Sequence, residues 1–259
     1  MPGKMKPVTV ETASEALTAV GLKAGDGVLV HSALQFLGKP ENGPATYLEA
    51  LCRVVNLPFP AAGFIPDLNK PFGTIAVPAF NFDFARGEPF DPQKTPSRGM
   101  GIFSEFVRQQ PGALRTSHPL QSLAALGAHA ADLASRDTGC AFDPGSAFER
   151  LLDLDFKLVL LGADVQAASI IHYSEQRLSV PYRYWKAFSA PVRTLHGWQT
   201  RTYMMFVRDL DLDPRLVLTG GMCNTHTLVE GPVSKVRAEA RSIIDLGRDG
   251  GIVIGTHSV

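Results

Sequence analysis

Leu158-Val159-Leu160-Leu161-Gly162, followed a few residues later by Ser169-Ile170-Ile171-His172-Tyr173-Ser174-Glu175, is the stretch on which the reading of this chain turns. The unbroken apolar run predicts a buried strand, and Gly162 predicts a turn at its carboxyl end. The residues from Ser169 onward predict the first turns of a helix. In open α/β sheets the chemistry collects in the crevice beyond the carboxyl ends of the strands. A histidine three residues before a glutamate lies on the same helical face as that carboxylate. Imidazole is also the side chain whose proton affinity best suits a general base near neutral pH.

Working outward, the same alternation repeats. Val10 to Val20 predicts a helix, with Thr12 or Ser14 as its cap and Gly21 beyond its end. Gly25-Asp26-Gly27 turns into a strand, Val28-Leu29-Val30, with His31-Ser32-Ala33-Leu34 at its carboxyl end. Thr46 to Val55 predicts a second helix, and Asn56 to Lys70 a proline-rich loop suited to a lid or an interface between two copies. Thr74 to Val77 and Leu123 to Gly127 predict strands, while Ile102 to Gln109, Ala128 to Ala134 and Phe148 to Leu154 predict helices. Phe80 to Arg98 is a long aromatic loop, expected to be ordered. Ala190 to Leu195 and Gln199 to Val207 alternate as a hairpin around His196-Gly197. A tail helix over Ser234 to Leu246 and a strand at Ile252 to Ile254 complete an α/β pattern read as one domain, 1–259.

Composition narrows the function classes. With 25 basic and 25 acidic residues the chain carries no net charge, so the basic footprint of a nucleic-acid binder is missing. No run reaches the length of a membrane span, and no apolar segment follows the first lysines as a secretion signal would require. Cys52, Cys140 and Cys223 are widely spaced, which predicts reduced thiols in a cytoplasmic protein. The histidines lack ligand spacing, so no metal is expected. Ser32 beside His31 mimics a nucleophile and base, but neighbours on an extended segment point apart. The Gly-x-Ser-x-Gly elbow of serine hydrolases is absent as well.

Taken in order, a longer set of motifs carries a resemblance. It comprises Val30-His31-Ser32-Ala33-Leu34 with Gly38, Gly73-Thr74 with Val77-Pro78 and Phe80, and Phe90-Asp91-Pro92. Thr95-Pro96-Ser97 with Met100-Gly101 follows, then Pro111 through Pro119 and Ala125-Leu126-Gly127. The set closes with Gly145-Ser146, Leu160-Leu161-Gly162, His172 with Glu175, and Val180-Pro181-Tyr182. Between about Ala13 and Phe188 the chain resembles the aminoglycoside 3-N-acetyltransferase family. The resemblance implies a three-layer α/β/α sandwich with a long ordered loop and a C-terminal hairpin and helix. It implies acyl transfer from acetyl-CoA, or another acyl-CoA, to a primary amine in a ternary complex, without a metal. His172 would be the catalytic histidine. Its carboxylate would come from the hairpin region, where Asp209 matches best; Asp211 and Glu175 are the other candidates.

For the cofactor, the resemblance carries over to His31, Ser32, Ala33 and Leu34, to Ser97, Arg98 and Met100, and to Ser117, His118 and Ser122. Acceptor contacts are expected from Phe80, Asp83, Tyr182, Arg183, Arg208 and Asp211. Backbone N–H groups near Ser32 or Ser169 would stabilise the oxyanion. Two departures matter. Drug-modifying members usually carry two threonines before the histidine, where this chain has Ser169 and Ile170. The chain is also neutral, and the cluster Tyr182-Arg183-Tyr184-Trp185-Lys186 with Arg208 sets cations beside the expected acceptor cleft. That charge argument predicts an anionic or neutral amino-sugar acceptor in surface-polysaccharide or natural-product biosynthesis. The alternatives are an aminoglycoside-resistance enzyme and a non-catalytic CoA- or partner-binding protein.

Overall fold

The computed structural model describes residues 7–59 and 64–209. The expected tail helix and strand, Cys223 and Asp211 lie outside the described residues. In chain order the helices are α1 (Val10–Ala19), α2 (Pro44–Val55), α3 (Gly101–Arg108), α4 (Ala130–Ala134), α5 (Ala147–Asp153) and α6 (Ile171–Arg177). The strands are β1 (Gly27–Ser32), β2 (Thr74–Pro78), β3 (Leu114–Arg115), β4 (Leu123–Gly127), β5 (Lys157–Leu161), β6 (Arg183–Thr194) and β7 (Gly197–Arg208).

The first five strands form one sheet in the order β3-β4-β2-β1-β5. β1 runs parallel to both β2 and β5, whereas β4 runs antiparallel to β2 and to β3. The sheet is therefore mixed. This polarity has a functional consequence. Leu123, at the start of β4, pairs with Pro78, at the end of β2. The loop entering β4 thus joins the carboxyl ends of β1, β2 and β5 along one edge.

Strand alternation builds the layers. Val28 and Val30 of β1, with Ile75 and Val77 of β2, face a core filled by α1, α2 and α3. Leu29 and Ala76, one residue out of phase, face a second core filled by α4 and α5, with Ile170 and Tyr173 packed against it. Successive side chains point to opposite faces, so one fully apolar strand serves both cores. This is the three-layer α/β/α arrangement.

The local readings shift in places. α1 is capped by Thr9, whose hydroxyl accepts from the Thr12 N–H while the Thr12 hydroxyl accepts from the Thr9 N–H. Thr12 is thus the second half of a capping box, and neither it nor Ser14 is the cap itself. The hairpin is longer than the alternation suggested. β6 and β7 pair in register from Arg183↔Arg208 to Thr194↔Gly197, so the two-residue turn is Leu195-His196 and Gly197 opens β7. The hairpin docks on the long loop through a third core of Phe84, Phe90, Leu120, Ala190, Val192 and Tyr203. There the Phe90 N–H donates to the Pro191 carbonyl at 2.9 Å and the Arg193 N–H to the Phe90 carbonyl at 2.8 Å. The same loop is anchored from behind by buried Arg115, which donates to the Thr95 and Ala79 carbonyls and lies over the Phe90 ring. Asn56 orders the proline-rich segment: its amide donates to the carbonyls of Asp67, Lys70 and Pro71.

Candidate active site

The site grows from α6. Asp164 caps a short 3-10 turn over Val165–Ala167, after which the chain enters α6 at Ile171. Ile171 is buried and seats the helix. The three-residue spacing then sets Glu175 under His172. His172 Nδ1 and Glu175 Oε2 stand 2.6 Å apart, with 25% of the His172 side chain exposed but only 4% of Glu175. Phe142 meets the imidazole edge-on, with ring centroids 5.7 Å apart.

The carboxylate is held from three sides. The Tyr182 hydroxyl donates to Glu175 Oε1 at 3.0 Å, and Arg183 Nη2 lies 2.9 Å from Oε2. Burial alone would raise the Glu175 pKa, but the hydrogen bond and charge of His172, the Arg183 cation and the Tyr182 hydroxyl outweigh it and hold it below the ordinary value. An ionised Glu175 at this distance requires the proton on Nδ1. In the neutral ring the second nitrogen, Nε2, then keeps its lone pair, the form a general base needs.

Asp209 was the leading carboxylate by resemblance, and the structure does not set it on the ring. The Asp209 backbone N–H donates to the Tyr182 carbonyl at 2.9 Å, at the end of the hairpin. The imidazole nitrogen is occupied by Glu175. Tyr182 and Arg183 also differ from expectation. Tyr182 is buried, the Arg183 side chain is 8% exposed, and both point at Glu175 rather than at an acceptor. Phe80 sits in the second core against Phe148. Asp83 pairs with Arg86 and Arg98. Of the expected acceptor contacts, exposed Arg208 remains at the open end of the hairpin.

The cofactor candidates divide in the same way. His31 is buried, and its Nε2 faces the Ser169 hydroxyl at 3.3 Å and the Ser169 N–H at 3.4 Å. Burial and the nearby His172 push the His31 pKa down to about 4, so the ring is neutral. The Ser169 N–H is thereby engaged, which leaves the Ser32 side as the expected source of donors. The Ser32 hydroxyl is buried and has no hydrogen-bond partner among the described residues. Ala33 and Leu34 follow it, partly exposed. Gly101 abuts Ser32: a Cβ there would stand 3.2 Å from the Ser32 carbonyl, and its φ of +79° suits glycine. Met100 packs beside it on the second core. Gly162 has the same function at the end of β5, where a Cβ would meet Ala33 and Leu37.

The others are held in structural contacts. Ser97 donates its hydroxyl and N–H to Glu105, and Arg98 extends to Asp83. Ser117 donates to Asp137. Ser122 is wholly buried, donating to the Ala79 carbonyl and accepting from Arg115. His118 is buried, accepts from the Gln121 N–H at 3.1 Å and packs edge-on to Tyr203. Sequence reasoning missed Phe142 and the brace under α6 formed by Gln176, Cys140 and Asp143. Neither has a local signature, because their partners are about thirty residues away along the chain. No group of three or more His, Cys, Asp and Glu able to hold a metal occurs among the described residues.

The comparisons with known proteins bear on this geometry. The family model described as aminoglycoside 3-N-acetyltransferase matches residues 29–243. This chain belongs to that family. Aminoglycoside N(3)-acetyltransferase III of Salmonella sp is 30% identical over 254 residues, 95% of this chain and 84% of the relative. Among solved structures, AAC-IIIb in a binary complex with CoASH superposes with a TM-score of 0.70 at 23% identity, covering 96% of this chain and all of that one. Sisomicin-bound AAC-VIa gives a TM-score of 0.68 at 25% identity over 91% and 87% of the two chains. Family members are acetyl-CoA-dependent N-acetyltransferases, and this chain is an enzyme of that class. No described helix is long and apolar enough to cross a membrane.

Proposed function

We propose that this enzyme transfers the acetyl group of acetyl-CoA to an amine of an aminoglycoside, with His172 as general base. The observation that carries the reading is the 2.6 Å contact between His172 Nδ1 and buried Glu175, with the imidazole itself partly open. An amine at neutral pH is mostly protonated and cannot attack a thioester until a base relieves it of a proton. A positioned histidine typically contributes about 100- to 10,000-fold to such a step. Glu175 holds the proton on Nδ1 and stabilises the positive charge that His172 takes on.

The end of β1 and the start of α3 suit the pantetheine and acetyl end of acetyl-CoA. There the buried, unpartnered Ser32 hydroxyl offers a donor that a bound carbonyl would satisfy. Acetyl-CoA supplies the activated acyl carbon, and the chain's own groups orient the amine and accept its proton. A covalent route through cysteine is disfavoured, since burial raises the thiols of Cys52 and Cys140 to about 12 and about 11.

Two things favour an aminoglycoside over an anionic amino sugar. The relatives are named for aminoglycosides. The charge argument for an anionic acceptor also loses one of its cations, because Arg183 is bound to Glu175. The test is thiol release from acetyl-CoA with a panel of aminoglycosides set beside nucleotide-linked amino sugars. Turnover of aminoglycosides that is lost in His172→Ala supports the reading. Turnover confined to the nucleotide-linked sugars overturns it.

A further inference from the structure

We propose that Arg183 is a positioning residue for the His172–Glu175 pair, tying it to the hairpin and fixing the carboxylate against the ring. The inference rests on the catalytic reading above. Its starting point is an unusual placement: a guanidinium 8% exposed beside a carboxylate 4% exposed, directly behind a histidine. Arg183 Nη2 reaches Glu175 Oε2 at 2.9 Å, and Nη1 donates to the Phe206 carbonyl of β7 at 3.0 Å. One planar fork therefore joins α6 to the far strand of the hairpin. Lysine has no such fork and cannot make both contacts with the same geometry.

The electrostatics follow from which atom carries which proton. Arg183 Nη2 also lies 3.1 Å from His172 Nδ1, but guanidinium nitrogens only donate. If Nδ1 accepted from Arg183 it would turn a lone pair toward Glu175 at 2.6 Å, which is repulsive. Arg183 therefore donates to the carboxylate, and its charge simply sits beside the ring. Glu175 favours a protonated imidazole, and a cation at 3.1 Å opposes one.

The other groups facing the ring among the described residues are few. Tyr182 presents a neutral hydroxyl to Glu175 from the segment before β6, His31 on β1 is neutral through burial, and Phe142 is apolar. Among the described residues Arg183 is a cation paired with Glu175.

The test uses the full-length enzyme with Arg183→Met, which keeps length and removes charge, and Arg183→Lys, which keeps charge and removes the fork. Two readouts are needed: kcat and KM for acetyl transfer, and the tautomer of the His172 ring by 15N NMR without substrates. In Arg183→Met kcat should fall about tenfold with KM little changed, and the Nδ1–H tautomer should lose its dominance. Kd for acetyl-CoA should stay within about twofold. In Arg183→Lys kcat should fall about tenfold with KM little changed, because the link to Phe206 is lost. A parental kcat with an unchanged tautomer in folded Arg183→Met overturns the proposal. If that variant does not fold, parental kcat in Arg183→Lys overturns it. The NMR arm needs no turnover, so an enzyme that proves to use another acceptor, or none, fails the catalytic reading without deciding this one.

Discussion

His172 and His118 each stand in a motif expected near the cofactor, the first as catalytic histidine and the second as a contact, and the fold treats them oppositely. His172 has a carboxylate on one nitrogen and an open flank. His118 is 3% exposed, takes a backbone N–H on Nδ1 and packs against Tyr203. Burial lowers the His118 pKa to about 4, only partly offset by the Met204 backbone and Asp137, so it stays neutral through the working range. A histidine becomes a base when a charged partner orients it and water or substrate can reach it. Packed in a core it is an aromatic with a hydrogen bond. His31 lies between these cases, buried and neutral, but touching Ser169 just ahead of α6.

This contrast can be broken most directly at His172. His172→Ala should lower kcat by about 100- to 10,000-fold while leaving urea unfolding nearly unchanged, since the side chain is partly exposed. Activity near the parental level would remove His172 from the mechanism. Glu175→Gln should lower kcat by about 100-fold or more, because the amide can present a donor to Nδ1 and favour the other tautomer. It should also destabilise the fold by about 3 kcal/mol, since Arg183 is left buried without its carboxylate. Steady-state kinetics together with urea denaturation separate the two effects.

His118→Ala should show the reverse pattern. Stability should fall by about 2 kcal/mol, while kcat of the folded protein drops less than tenfold. A loss of kcat of about 100-fold or more in the folded variant would give His118 a part in the chemistry. A further effect lies in pH dependence. His31 and His118 have folded values of about 4, below the ordinary 6.5, so the unfolded chain binds protons first as the solution is acidified. Stability is therefore fully present above pH 6.5 and falls as pH drops from there toward 4, by at most roughly 3 kcal/mol per histidine. Urea denaturation at pH 7 and pH 5 should show the decline, and His118→Ala should show a shallower one.

How much was legible follows from the range over which each cause acts. The apolar runs at Val28–Val30, Ile75–Val77 and Leu158–Leu161 announced strands because apolar burial and turn residues leave a local mark. The cap of α1 was misplaced by a few residues, since Thr9 and Thr12 both suit a cap and only the backbone says which is outside the helix. The polarity of β4 was not legible at all. An apolar strand reads the same in either direction, and the partner Pro78 is distant in sequence. The pattern set Tyr182 and Arg183 beside the acceptor cleft with Tyr184, Trp185 and Lys186; those three are exposed, and nothing local marks the first two as turned inward.

By itself, then, the sequence determined the alternation of strands and helices, and it determined that His172 and Glu175 share a helical face, because the helix period makes residues three apart neighbours. Tertiary structure alone decided that Glu175, rather than Asp209, is the carboxylate on the ring, and that Arg183 turns inward to it. That decision depends on where the hairpin docks. The docking is set by the packing of Phe84, Phe90, Val192 and Tyr203, and by the Phe206 carbonyl that Arg183 reaches. Contacts across so many residues carry no local period, so they exist only once the layers have closed.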